Sequence, residues 1–154
     1  MKKLLILVLI FVTGCLSMPS NPGRSVDEWF ANYRIDINHF NLEDITLEQK
    51  SEFISILQDN YNNLTYHIIQ KQVSEKTANV MIRIQVTDFS NINKKLESHV
   101  FESNKERFDK KLDLMRSVDT QKNYTILIRL RKLEGRWQVP HLSQNTILKI
   151  HGFY

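Results

Sequence analysis

A phenol, a carboxylate and an imidazole lie close together early in the chain, at Tyr33, Asp36 and His39. On a helix, Asp36 and His39 would stand one turn apart on a shared face. Such a set could supply a general base and hydrogen-bond donors, provided that an apolar pocket raised the carboxylate pKa toward neutrality. Both residues fall off the apolar stripe of Val26, Trp29, Phe30, Tyr33, Ile37 and Phe40, so they are expected to face solvent and no catalytic residue is assigned. The five histidines, His39, His67, His99, His141 and His151, show no short spacing of the His-x-x-x-His kind, so no metal site is expected. A glycine-rich phosphate loop and a Gly-x-Ser-x-Gly elbow are both missing, and no cofactor is expected. The chain reads as a non-enzyme.

Two other groups bear on function. If alternating strands turn Val80, Ile82, Ile84 and Val86, and likewise Tyr124, Ile126, Ile128 and Leu130, toward a core, then Arg83, Arg129 and Arg131 share the opposite face. Lys71 and Arg136 would join them or not according to register. Such a face could meet anionic lipid headgroups, wall polymers or an acidic envelope protein. The plainer reading is a solvated face balanced by nearby acids. Trp29, Phe30, Tyr33 and Trp137 could line a ligand cavity, although aromatics at helical spacing more simply form core.

The only cysteine, Cys15, has no partner for an intramolecular disulfide. Before it come Lys2 and Lys3, an apolar run from Leu4 to Val12, and the segment Val12-Thr13-Gly14-Cys15. The run is far short of the roughly 20 residues that a helix needs to cross a bilayer. The pattern resembles a bacterial lipoprotein signal ending in a lipobox, with Gly14 and Cys15 carrying the match. The resemblance implies a thioether-linked diacylglycerol on Cys15, cleavage before it, and acyl chains that anchor by about 0.8 kcal/mol per buried methylene. It places the protein outside the cytoplasm on a bacterial membrane, the outer one if the host has two. Residues 1–14 are then the signal peptide, and 15–24, with Pro19, Ser20, Pro22 and Gly23, a flexible lipidated tether.

Removal of residues 1–14 would leave 140 residues with 19 basic and 17 acidic side chains, a net charge of +2 that gives no ground for a nucleic-acid partner. Within them, 25–154 form one domain. Ser25 with Glu28, and Thr46 with Gln49, read as capping boxes that open two amphipathic helices. The first is expected to run from Val26 to Phe40, and the second to end in a turn at Asp59–Asn63. Strands over Leu64–Val73 and Ala78–Val86 flank a turn at Ser74–Thr77. Asp88-Phe89-Ser90 leads into a helical region with the stripe Ile92, Leu96 and Val100, and Ser103 with Glu106 caps a further stretch carrying Phe108, Leu112 and Met115. A strand over Tyr124–Arg131 turns at Glu134-Gly135 into Arg136–Val139, ended by Pro140. Ser143–His151 reads as a closing helix stopped by Gly152.

The order α-α-β-β-α-β-β-α predicts an α+β fold, with helices packed on a curved, mainly antiparallel four-stranded sheet. Three segments, Ile84-Gln85-Val86-Thr87-Asp88-Phe89, Leu133-Glu134-Gly135-Arg136-Trp137-Gln138-Val139 and Lys149-Ile150-His151-Gly152-Phe153-Tyr154, resemble the nuclear transport factor 2-like superfamily, in particular its bacterial lipoproteins. That superfamily mixes isomerases and dehydratases with ligand-binding and structural modules, so fold implies little about function. The expected function is a membrane-anchored, non-catalytic binding or structural module of the cell envelope. A carrier or sensor of a small apolar or lipid ligand is the alternative, and an isomerase or hydratase ranks below both.

Overall fold

The computed structural model describes residues 21–40, 42 and 44–154; the expected signal peptide and the expected lipidation site at Cys15 lie outside them. The protein is α+β. Helix α1 (Pro22–Asn32) and a 3-10 turn (Ile37–His39) precede α2 (Leu47–Asn62), and the hairpin β1 (Thr65–Val73) and β2 (Thr77–Thr87) follows. Helices α3 (Ile92–Glu97) and α4 (Asn104–Arg116) connect β2 to β3 (Gln121–Leu133), and β4 (Arg136–Gln138) and α5 (Gln144–Ile150) close the chain. The strands form one antiparallel sheet in the order β1-β2-β3-β4. No described helix is long and apolar enough to cross a membrane.

The helix boundaries correct two expectations. The first helix starts earlier than Ser25: Asn21 caps it by accepting from the Gly23 N–H at 2.9 Å, and Pro22 sits where a missing N–H costs nothing. Pro22 and Gly23 are buried, so residues 21–24 belong to the fold and not to a tether. The same helix ends at Asn32 instead of reaching Phe40, because Tyr33 turns extended and Asp36 starts a separate 3-10 turn by accepting from the Asn38 N–H. The Thr46–Gln49 capping box forms with both reciprocal bonds, and α2 continues through the predicted turn to Asn62.

Two clusters fill the interior. The larger joins Val26 and Phe30 of α1 and Ile147 and Ile150 of α5 to Val80, Ile82, Ile84, Ile126 and Ile128 of the sheet. The smaller holds Phe53 and Leu57 of α2 against Ile92, Leu96, Phe108, Leu112 and Met115 of α3 and α4. Val100, expected on the α3 stripe, is 98% exposed because α3 has already ended. Gly152 does more than stop α5. Its φ of +78° suits only glycine, and a Cβ there would run into the Thr87 carbonyl oxygen where the C-terminal turn crosses the end of β2.

Candidate functional site

Strand register assembles the arginine face. Arg83 lies between His67 on β1 and Thr125 on β3. Arg129 stands opposite Asn79, and Arg131 lies between Thr77 and Gln138. Arg136, opposite Leu133, follows the parity of Gln138 and joins them. Lys71 does not. The register shifts between Ile68 and Gln70, and this bulge sets Lys71 opposite inward-facing Val80, with its ammonium beside Gly23. Halfway along the face Met81 pairs with Leu127, and these two with Gln70, Gln72 and Asn79 line a hollow of about 120 Å³.

The charge on this face is one-sided. None of the four strands contains an Asp or Glu. Among the described residues, every ion pair lies elsewhere, at Arg24–Glu28, His39–Asp36 and Arg116 with Glu52 and Asp113. The balancing acids that the plainer reading requires are therefore not on the sheet. This was legible in the strand sequences, because a count of carboxylates within the predicted strands would have found none.

A second cluster sits beneath the sheet. His151 is fully buried, and its Nε2 lies 3.1 Å from the Tyr33 hydroxyl. Asn60, also buried, donates to the His151 carbonyl and accepts from the Thr87 N–H, tying α2, β2 and α5 together. Burial, with a smaller contribution from His39, pushes the His151 pKa down to about 4. Burial and then Asp36 push Tyr33 up to about 12. The imidazole is therefore neutral near pH 7, and its Nδ1 has no hydrogen-bond partner. The predicted trio is divided: Tyr33 turns inward to His151, whereas Asp36 and His39 stay together, 3.9 Å apart, on the 3-10 turn. Trp29 meets Phe30 edge-on at 5.0 Å, Phe30 stacks on Tyr66 at 4.3 Å, and Trp137 of β4 is buried in the larger cluster, so these aromatics contribute to the core. Among the described residues, no three His, Cys, Asp or Glu side chains are grouped so as to hold a metal ion.

No protein-family model, curated protein or solved structure matches this chain.

Proposed function

We propose that this chain is a lipid-anchored, non-catalytic module of a bacterial envelope, held to the membrane through Cys15, that uses the arginine face of its sheet to engage phosphate-bearing polyanions. The observation that carries the reading is the arrangement of Arg83, Arg129, Arg131 and Arg136 on strands without a single carboxylate. Unpaired guanidinium groups suit phosphate oxygens, which they grip through two parallel hydrogen bonds. Five residues, Leu16–Ser20, separate Cys15 from Asn21, the N-cap of α1. Five residues reach at most about 17 Å, which keeps the domain close to any membrane that holds the anchor. A carrier would need room between sheet and helices, and that space is occupied by the larger core cluster.

Two measurements test this. Cys15→Ser should release the protein from membranes into a high-salt wash; full retention would count against the anchor. The unlipidated protein should bind vesicles of phosphatidylglycerol and phosphatidylcholine, or a soluble polyphosphate, more tightly than phosphatidylcholine alone, and increasingly so as salt is lowered. The vesicle and polyphosphate arms separate a lipid headgroup from a wall polymer. Arg83→Glu, Arg129→Glu and Arg131→Glu together should abolish both. Unchanged binding would reduce the arginines to a solubilising role.

A further inference from the structure

The sheet has an unequal pair at its far edge. β3 runs for 13 residues, but β4 covers only Arg131, Lys132 and Leu133. The backbone groups left uncovered can be identified. Leu133 and Arg136 flank the two-residue turn Glu134-Gly135, whose φ angles of 49° and 80° are those of a tight hairpin. In such a hairpin the flanking pair exchanges both bonds, and bonding then alternates along the strand. Arg131 therefore bonds toward β4, whereas Lys132 bonds the other way, as its N–H to the Lys76 carbonyl at 2.9 Å bears out. By the same alternation Arg129, Leu127 and Thr125 aim their N–H and C=O groups away from β2.

Sequence explains why β4 stops short of them. If its register continued, Pro140 would stand opposite Arg129, at a rung that requires an N–H. Proline has none, so the ladder ends there and the chain departs. Among the described residues, 139–143 make no backbone hydrogen bond to β3. Between the uncovered edge and α5 lies a groove of about 540 Å³. Its strand side includes Thr125, Leu127 and Arg129, its opposite side His141, Thr146 and Lys149, and no carboxylate lines it.

We propose that this groove is a docking site for an extended acidic segment of another protein, added to the sheet beside β3. The bare rungs would supply main-chain bonds, and the side chains flanking them would select the sequence. Residues 125–129 offer a seat about 17 Å long at strand spacing. Charge chooses the occupant. Arg129 and Lys149 meet an incoming carboxylate favourably, whereas a second copy of this chain would bring like charges together. The chain's own residues 1–20 carry Lys2 and Lys3 and no acid, so they do not fit either. This site stands independently of the Cys15 anchor, and of the four arginines of the proposed polyanion face it shares only Arg129.

The test uses the full chain in a non-ionic detergent and a capped peptide of alternating Glu and Val. Saturating peptide should slow amide exchange at Thr125, Leu127 and Arg129 by about tenfold or more, since a laddered N–H is closed to solvent. A Lys-Val peptide should bind about tenfold more weakly or worse. Lys149→Glu, which leaves the sheet face untouched, should weaken the Glu-Val peptide about fivefold or more, and Thr125→Pro, which removes an edge donor but no β2 rung, about tenfold. Arg83→Glu with Arg131→Glu should have little effect on this peptide while still weakening vesicle binding. The proposal is overturned by no binding at about 1 mM peptide, by protection elsewhere than β3, or by equal affinity for the Lys-Val peptide. It is also overturned if Lys149→Glu binds the Glu-Val peptide like the wild type, whatever Thr125→Pro does to folding.

Discussion

The two faces of the central sheet are built from the same strands and obey opposite rules. On the inner face Val80, Ile82, Ile84 and Ile128 are completely sealed by α1 and α5. One residue along the strand in each case stand Asn79, Met81, Arg83 and Arg129, with solvent above them. Each inner aliphatic side chain contributes about 1.5–3 kcal/mol through burial. The outer side chains contribute little to stability and are free to be chosen for charge. The face that holds the protein together is thus separated by a single residue of register from the face proposed to meet polyanions.

That contrast can be broken from either side, and the largest effect belongs to the inner face. Ile128→Ala removes a fully buried side chain and should cost about 3–4 kcal/mol of unfolding free energy, read from the urea midpoint. A loss below about 1 kcal/mol would mean that the inner face is not closely packed at this point.

The next effect is driven by pH. His151 stays neutral in the folded protein because burial lowers its pKa to about 4, against 6.5 in the unfolded chain. Above pH 6.5 neither state takes up the proton and this contribution is complete. As pH falls from 6.5 toward 4 the unfolded state protonates first, so stability is lost, by about 3 kcal/mol across the window. His151→Phe, which preserves a ring at this position, should show a smaller fall in urea midpoint between pH 7 and pH 5 than the wild type. Identical falls would show that other groups dominate.

On the outer face the effects shrink. Leu127→Ala, at a residue 42% exposed and paired with Met81, should cost under about 1 kcal/mol. Arg83→Ala should change stability by no more than about 0.5 kcal/mol while reducing binding to anionic vesicles. If Arg83→Ala destabilised the fold as much as Ile128→Ala, the division of labour between the faces would be wrong.

How much of this was legible varies with the kind of signal. Alternation from Ala78 to Val86 and from Tyr124 to Leu130 predicts both strands and their faces, because a period of two survives whatever packs on top. Thr46 with Gln49 and Ser103 with Glu106 read correctly as helix starts, since a cap is a local hydrogen bond; Glu106 additionally reaches back to the Glu102 N–H. Ser25 misled for the same reason. It has a capping residue's chemistry, but Asn21 and Pro22, four and three residues earlier, already supply the start, and α1 simply runs through it. The stripe that joined Val26 to Phe40 also misled, because apolar periodicity continued across a break where Tyr33 swings in to reach His151, 118 residues away.

Residue types and their spacing specify the α+β class, the strand faces and the placing of three arginines opposite the core, and they raise the expectation of a lipid anchor at Cys15. These depend on residue types and on periods of two or four, which neighbouring residues impose without help from the rest of the chain. The folded arrangement adds that the bulge at Ile69 turns Lys71 to the other side, that His151 is buried against Tyr33, and that β4 leaves most of the β3 edge bare. Each of these depends on which distant segment arrives beside which. Bulge, burial and edge are properties of a pairing, and a pairing exists only once the chain has closed on itself.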